Sequence, residues 1–302
     1  MRYRQFGKTG MPVSEVGFGA WGIGGAYGKL DRSVALAALA KAEELGCNFV
    51  DTASVYGDSE LVLGDFLPAR RDHWLVATKY SGQDAGLIAT AESQLKRMGI
   101  DAIDFYQIHW APRDDQKQLY DDLYRLKKSG KARFVGVSLG KVEDIDYVLD
   151  STEIDGFQVP SSLLDPLPLL VRLDKVRERG VGIVVRSTLF GGFLTGKFSP
   201  ETVFTDPTDR RSKWPRENVL KTIASVERFR FLEQEVGSMT VGAARYPLSF
   251  PETSTVILGT KTPVQAEMNF GLVPGAVLST EALKKVRAIQ EALGLWPKGT
   301  TT

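Results

Sequence analysis

The sequence predicts an α/β protein with the architecture of a (β/α)8 barrel, or TIM barrel. Three observations predict it. Eight short runs rich in Val, Ile and Phe recur along the chain, helical patterns follow most of them, and no linker divides the 302 residues. A chain of this length fits a single barrel, whose usual size is about 250 residues plus insertions. We therefore expect residues 1–302 to form one domain.

The strand-like runs are spaced regularly along most of the chain. They are residues 15–20, 48–51, 74–79, 102–109, 134–138, 156–159, 182–186 and 255–258. Between the first two lies a helical pattern that Asp31 or Ser33 could cap and that Gly46 ends. Strands that lead into helical crossovers favour a parallel sheet covered on both faces, and eight such units favour closure into a barrel.

Two segments fall outside this repeat. Residues 1–14 alternate in polarity around a glycine-containing turn, which predicts a short N-terminal hairpin that plugs one end of the barrel. Between Ser187 and Thr255 lies a long segment followed by two further helical patterns. We interpret it as an insertion after strand 7, on the barrel face that carries active sites. The tail after Leu293 is too short to cover that face, so we expect an open mouth.

Composition excludes several classes of protein. The 38 basic and 37 acidic side chains give a net charge of +1, which indicates neither nucleic-acid nor membrane-surface binding. Cys47 is the one cysteine and begins an apolar run, so we expect a small core residue and no disulfide. With His73 and His109 far apart, no metal site is expected. The lack of a signal-like or membrane-spanning apolar run favours a cytoplasmic protein.

Four polar residues fall at or just beyond the ends of three successive strands: Asp51, Tyr56, Lys79 and His109. In a barrel these strand ends converge on one mouth. Together they suggest proton transfer through a phenol, because an ammonium held by a carboxylate can stabilise the phenolate of a nearby tyrosine. Each residue also has a simpler interpretation as a solvated strand-end charge or a helix cap. Their conjunction favours a site, since such groups are costly to bury without partners.

Gly17 to Gly22 spells G-x-G-x-x-G, the glycine pattern of dinucleotide-binding turns. Such a turn opens directly into a helix, whereas here the first helical pattern begins near Asp31. In a barrel these glycines form the loop after the first strand, with Trp21 at the rim. We therefore interpret the motif as a loop and not as a Rossmann turn.

At this point the chain resembles the aldo-keto reductases, which are NAD(P)H-dependent carbonyl reductases. The resemblance rests on the order and spacing of the four polar residues and on the phrase DTASVYGDSELVLG, which is similar to the family signature D-T-A-x-x-Y-G-x-S-E-x-x-L-G. The phrases LFGGFLTGKF and VILGTKTPVQAEMNF also match family patterns. Within the family the chain is most similar to the bacterial branch that resembles potassium-channel β subunits and sugar-aldehyde dehydrogenases.

The resemblance implies a role for each catalytic candidate. Tyr56 is the general acid, Lys79 stabilises its phenolate, Asp51 pairs with Lys79, and His109 positions the substrate carbonyl. The substrate is a small aldehyde, ketone or sugar, enclosed by the set Trp21, Tyr56, His109 and Trp110. The cofactor is NADP(H), with NAD(H) as the alternative, and no metal is implied. The oligomeric state and the physiological direction are left open.

The resemblance also implies cofactor contacts along the later loops. They are Ala20, Trp21, Asp51, Ser138, Gln158, Arg186, Ser187, Thr188, Leu189, Phe190, Gly191, Lys197, Arg210, Gly259, Lys261, Gln265 and Asn269. Lys261 favours NADPH, because an ammonium there could pair with the 2′-phosphate. Three positions depart from the family pattern: Leu139 replaces a polar residue, Arg186 stands where an aromatic ring commonly stacks on the nicotinamide, and Met268 replaces an acid.

Three alternatives remain open. A dehydrogenase with a Rossmann fold is the least favoured, because it would need an open sheet, which eight regularly spaced strand–helix units disfavour. A regulatory or scaffold protein similar to the channel β subunits would bind NADPH tightly with little turnover. A barrel enzyme of different chemistry would use Lys79 as a Schiff-base amine. The intact set of four catalytic candidates favours the reductase.

Overall fold

The computed structural model describes residues 1–26, 28, 30–275 and 277–296, and its centre is a closed barrel of eight parallel strands. An antiparallel hairpin comes first, formed by β1 (Tyr3–Gln5) and β2 (Pro12–Ser14). The barrel strands are β3 (Val16–Gly19), β4 (Phe49–Asp51), β5 (Leu75–Tyr80), β6 (Ile103–Ile108), β7 (Ala132–Ser138), β8 (Gly156–Pro160), β9 (Gly182–Arg186) and β10 (Thr255–Gly259). They neighbour one another in chain order, and β10 closes the barrel by pairing with β3 and β9.

Helices surround the barrel. They are α1 (Arg32–Glu44), α2 (Ser59–Phe66), α3 (Leu87–Met98), α4 (Gln118–Lys128), α5 (Val142–Ser151), α6 (Leu167–Leu170), α7 (Leu173–Arg179), α8 (Arg216–Glu227), α9 (Phe231–Val236), α10 (Met239–Leu248), α11 (Pro263–Ala266) and α12 (Thr280–Ala292). Short 3-10 helices cover Gly22–Gly24, Asp114–Gln116, Phe190–Thr195 and Arg210–Lys213, and a π-helix covers Glu267–Leu272. Among the described residues, no helix is both long and apolar enough to span a membrane.

The expected barrel is confirmed, because each of the eight strand-like runs coincides with one barrel strand. Of the two possible caps for α1, the structure selects Asp31, whose side chain accepts a hydrogen bond from the backbone N–H of Ser33 at 2.8 Å. The insertion after β9 contains three helices where the sequence indicated two. The chain turns between α8 and α9, at residues 228–230, and Phe229 in this turn is fully buried.

The N-terminal hairpin closes the lower end of the barrel, as expected. After β1 the ring of Phe6 enters the barrel and occupies the space that side chains on Gly156 and Gly182 would fill. These glycines are the first residues of β8 and β9, so the plug lies at the N-terminal ends of the strands. Phe6 also packs edge-on against Phe105, with ring centroids 4.9 Å apart. The opposite end of the barrel is thereby left for the polar side chains.

Cys47, which the sequence predicted to be a core residue, and His73 lie away from that end. Cys47 is fully buried just before β4, and burial raises the pKa of its thiol to about 12. His73 precedes β5, and its Nε2 lies 3.0 Å from the carbonyl oxygen of Cys47. The tail that was expected to leave the mouth open falls largely on residues 297–302, which lie outside the described residues.

Candidate active site

An ion pair lies at the centre of the upper barrel mouth. Lys79, on β5, is fully buried, and its Nζ donates to both carboxylate oxygens of Asp51 at 2.8 and 2.7 Å. The same Nζ donates to the carbonyl oxygen of Thr52 at 2.7 Å. These acceptors engage the donor capacity of the ammonium, as burial of a charged group requires. Asp51 ends β4 and is 1% exposed, so the adjacent strands β4 and β5 fix both members of the pair.

Tyr56 lies on the loop after β4, with its ring beside this pair. Lys79 Nζ is 5.0 Å from the centroid of the phenol ring. The ring of Trp21 stacks at 5.9 Å from it, and the imidazole of His109 approaches edge-on at 6.0 Å. The structure therefore brings together the four polar residues that the sequence singled out, with Trp21 at the outer edge.

The glycine-rich loop explains how Tyr56 is positioned. β3 leads into the short helix Gly22–Gly24, and α1 begins only at Arg32, so the loop does not form a Rossmann turn. A side chain on Gly24 would overlap the backbone carbonyl of Tyr56. Glycine at this position lets the loop lie directly against the turn that carries the phenol.

His109 follows β6 and faces the same mouth. Burial, together with the charge of Lys79, lowers the pKa of its imidazole to about 4, so the ring is neutral at pH 7. Its Nδ1 lies 2.9 Å from the hydroxyl oxygen of Ser81. If Ser81 donates to Nδ1, the proton of the neutral imidazole resides on Nε2, which can then donate to a ligand. Ser81 was not singled out from the sequence.

Two glutamines, one on β6 and one on β8, point at the ion pair. Gln158 Nε2 donates to Asp51 Oδ1 at 2.7 Å, and Gln107 Nε2 lies 3.5 Å from the same oxygen. The Oε1 atoms of both glutamines are buried and have no hydrogen-bond partner in the described structure. Ser138 lies opposite Gln158 in the β7–β8 pairing. A carboxamide or other donor in the mouth would satisfy such orphaned acceptors.

Gln107 was missed from the sequence, although a signal was present. It lies on β6, two residues before His109, which follows the strand, and residues two apart in extended backbone share a face. Because His109 was placed at the mouth, the same alternation would have put Gln107 inside the barrel below it.

Arg186 ends β9 at the rim of the mouth. Its Nη2 donates to the carbonyl oxygen of Leu139 at 3.0 Å, and its Nη1 to the hydroxyl of Ser187 at 3.4 Å. Burial lowers the pKa of the guanidinium, while the nearby Tyr56 and Asp51 act in the opposite direction. The side chain therefore lies within electrostatic reach of the catalytic candidates.

The segment after Arg186, residues 187–213, forms a loop beside the mouth, which we call the cationic loop. Ser187 and Phe190 have φ values of 60° and 47°, a region that non-glycine residues rarely adopt and that is found at functional sites. Burial lowers the pKa of Lys197, and the charges of Arg211 and Lys261 act in the same direction. Cations held close together in this way suit a polyanionic ligand.

The other predicted contacts surround this loop. The guanidinium of Arg210 lies 4.7 Å from the centroid of the Trp21 ring, which joins the loop to the first strand's end. Thr188 is buried, and its hydroxyl has no hydrogen-bond partner in the described structure. Leu189 is half-buried, Gly191 faces Trp214, and Ala20 is buried after β3.

The loop after β10 holds itself together with two of the predicted side chains. Gln265 Oε1 accepts from the backbone N–H of Lys261 at 2.8 Å. Asn269 Nδ2 donates to the hydroxyl of Thr260 at 2.9 Å, while Gly259 is exposed at the strand's end. In the described structure these amides therefore order the loop that carries Lys261.

Trp110 directly follows His109 in the loop after β6. Its indole N–H donates to Gln116 Oε1 at 2.9 Å, and its ring centroid is 5.8 Å from that of Tyr80. A side chain on Gly82 would be in van der Waals contact with it. The indole is thus fixed at the edge of the mouth, where a substrate could contact it.

The mouth fits a nicotinamide dinucleotide. Orphaned amide oxygens at Gln158 and Gln107 offer acceptors for a carboxamide, and the cationic loop offers partners for phosphates. Among the described residues, no group of three or more His, Cys, Asp or Glu side chains is arranged to hold a metal ion. The arrangement provides a phenol, a buried cation and a neutral imidazole, which together can protonate a carbonyl oxygen.

Comparisons with known proteins agree with this reading. The sequence model of the Aldo/keto reductase family matches residues 15–291. L-galactose dehydrogenase of Arabidopsis thaliana is 31% identical, over 98% of this chain and 97% of that protein. The solved structure of glycerol dehydrogenase AKR11B4 from Gluconobacter oxydans matches with a TM-score of 0.83 at 27% identity, over 99% of this chain and 98% of that one. The holo form of aldo-keto reductase AKR11C1 from Bacillus halodurans matches with a TM-score of 0.79 at 25% identity, over 96% of each chain. The chain therefore belongs to the aldo/keto reductase family and is an NAD(P)H-dependent oxidoreductase.

Proposed function

We propose that this protein is an NADPH-preferring reductase of small aldehydes, ketones or sugars, with Tyr56 as the general acid. The observation that carries the proposal is the fully buried Lys79–Asp51 pair beside the phenol ring. Burying two charges is costly even when they are paired, so a pair at the open end of a barrel supports a functional role more than a stabilising one.

The residues divide the reaction between them. When bound, the reduced nicotinamide supplies the hydride that reaches the carbonyl carbon. The Tyr56 hydroxyl gives its proton to the carbonyl oxygen, so the carbonyl gains one hydride and one proton and becomes an alcohol. The Lys79 ammonium, held by Asp51, stabilises the phenolate that remains. Oxidation of an alcohol follows the same steps in reverse.

His109 orients the substrate in this mechanism. A neutral imidazole can donate a hydrogen bond to the carbonyl oxygen from Nε2 while Nδ1 accepts from Ser81. That donation polarises the carbonyl and sets its oxygen near the Tyr56 hydroxyl. Trp21 and Trp110 form the walls on either side.

The cofactor is held by groups on the other side of the mouth. Gln158 Oε1 would accept a hydrogen bond from the nicotinamide carboxamide, and Ser138 lies beside Gln158 on the neighbouring strand. Lys197 and Arg210 on the loop after β9 would hold the pyrophosphate, and Lys261 would pair with the 2′-phosphate of NADPH.

In the first test, the purified protein is titrated with NADPH and NADH while binding is monitored by tryptophan fluorescence. A panel of aldehydes is then added. L-galactose and glycerol are included with the oxidised cofactors, because relatives of this chain are named for those substrates. We expect binding followed by cofactor oxidation. Tight binding with no turnover on any substrate would instead favour the regulatory role, and no binding would defeat the proposal.

A Tyr56→Phe variant tests the general acid. We expect reduction to be abolished while NADPH binding is retained, because the change removes only the hydroxyl that supplies the proton. Tyr3→Phe, on the exposed N-terminal hairpin, is the matched control and should leave turnover unchanged. Unchanged turnover in Tyr56→Phe would remove this residue from the mechanism.

A Lys261→Ala variant tests the cofactor preference. We expect the dissociation constant of NADPH to rise by about tenfold or more and that of NADH to change little, because only NADPH carries the 2′-phosphate. Lys128→Ala, on the exposed side of α4, is the control. Equal weakening of the two cofactors would contradict the assignment of Lys261.

A further inference from the structure

The guanidinium of Arg186 is a planar, positively charged group that is held in place in the barrel mouth. It extends from the end of β9 across β8 to the carbonyl oxygen of Leu139, just after β7. Its Nη1 atom donates to the hydroxyl oxygen of Ser187. The Nε atom of the same guanidinium is buried and has no hydrogen-bond partner in the described structure. The plane is therefore anchored by a carbonyl and a hydroxyl and not by a carboxylate.

The charge of this guanidinium is not neutralised by a direct ion pair with any described residue. Among the described residues, no carboxylate oxygen lies within 4.0 Å of its nitrogens. Two carboxylates feel its charge at longer range: Asp51, which Lys79 already engages through both oxygens, and the half-buried Asp165. His109, which also faces it, is neutral at pH 7. The mouth thus retains a positive charge that belongs to Arg186.

The same stretch of rim carries the acceptors for a carboxamide. Ser138 and Gln158 lie opposite each other on β7 and β8, the two strands that the guanidinium spans, and Gln158 Oε1 is orphaned. A nicotinamide held by these groups would lie beside the Arg186 guanidinium. Hydride loss converts that ring from a neutral dihydropyridine to a cation, so a fixed cation beside it disfavours only the oxidised form.

We propose that Arg186 makes the site discriminate between the two redox forms of its cofactor, capturing the reduced form and releasing the oxidised one. This inference rests on the proposed function, because it requires the nicotinamide to bind in the barrel mouth. Its consequence is directional: a protein that holds the oxidised cofactor weakly is suited to carbonyl reduction in the presence of both forms.

The test measures dissociation constants in the absence of substrate, by calorimetry and by tryptophan fluorescence, for NADP+ and NADPH and for NAD+ and NADH. In the wild type we expect the oxidised form to bind at least about tenfold more weakly than the reduced form, a difference of about 1.4 kcal/mol. In Arg186→Gln, which keeps hydrogen-bond donors but removes the charge, the ratio should fall to about threefold or less. Arg186→Lys should keep most of the discrimination. Arg125→Gln, an exposed site on α4, should leave it unchanged.

The outcomes separate this inference from the proposed function. A wild type that binds both redox forms equally well overturns the inference without any variant, and so does an unchanged ratio in Arg186→Gln. In either case the reductase proposal stands. If neither redox form of either cofactor binds the wild type, the proposed function and this inference fail together. If Arg186→Gln keeps the ratio but loses only turnover of carboxylated carbonyl substrates, Arg186 recognises a substrate anion and the inference is wrong.

Discussion

His109 should make the stability of the protein fall as the pH is lowered. Burial, and then the charge of Lys79, lower the pKa of its imidazole from 6.5 to about 4 in the folded protein. Unfolding releases the imidazole from this environment, so the unfolded chain takes up its proton near pH 6.5. Between these values the unfolded state binds more protons, so the free energy of unfolding decreases as the pH falls. At about 1.4 kcal/mol per pH unit, the whole window contributes about 3 kcal/mol.

The assay compares the wild type with His109→Asn by urea unfolding, from about pH 7.5 to about pH 5. Carboxylates common to both proteins cancel in the difference between their free energies of unfolding. The advantage of the wild type over the variant should shrink by about 2 kcal/mol across this range. A difference that stays constant would show that the imidazole titrates alike in both states and would refute the reasoning.

NMR provides a direct check on the same titration. The chain has two histidines, so a His73→Asn variant carries a single imidazole, that of His109. Its ring signals should remain those of the neutral form down to about pH 5. A midpoint near 6.5 would contradict the burial that the structure assigns to this ring.

Two further predictions concern the buried pair and the glycine-rich loop. Lys79→Met should lower the free energy of unfolding, measured in urea, by about 3 kcal/mol, because Asp51 is left charged and buried. Adding Asp51→Asn to this variant should restore part of the lost stability. A double variant no more stable than the single one would contradict this. Gly24→Ala should lower kcat/KM by about tenfold or more, because the new methyl group overlaps the Tyr56 carbonyl and must displace the phenol, whereas Gly140→Ala, with no atom nearby, should be silent.

The barrel could be predicted from the sequence because its strands are buried on both faces and read as apolar runs. The runs at 102–109 and 182–186 each correspond to one barrel strand, β6 and β9. The helices of the insertion were harder to predict, because neither a glycine nor a proline marks the boundary between α8 and α9, where Phe229 is buried. Tertiary packing, which local patterns do not encode, determines that boundary.

The polar residues of the mouth could be found because they stand at strand ends, where the barrel brings distant positions together. Gln107 does not meet that rule, and Ser81, which meets it, was not singled out from the sequence. Ser81 lies one residue beyond β5 and acts through the imidazole of His109. Gln107 lies within β6, in a run that otherwise looks like core. Their partners, His109 and Asp51, become evident only when the strands are arranged around the barrel.

Asp51 links the two halves of the proposed site. Its oxygens accept two hydrogen bonds from Lys79, and Oδ1 also accepts from Gln158. A carboxylate is only an acceptor, so the amide nitrogen of Gln158 must face it and the amide oxygen must turn away. The side chain that fixes the ammonium beside Tyr56 therefore also fixes the acceptor proposed for the nicotinamide carboxamide. Because one carboxylate orients both the Lys79 ammonium and the Gln158 amide, we expect a substitution at Asp51 to change proton transfer and cofactor placement together.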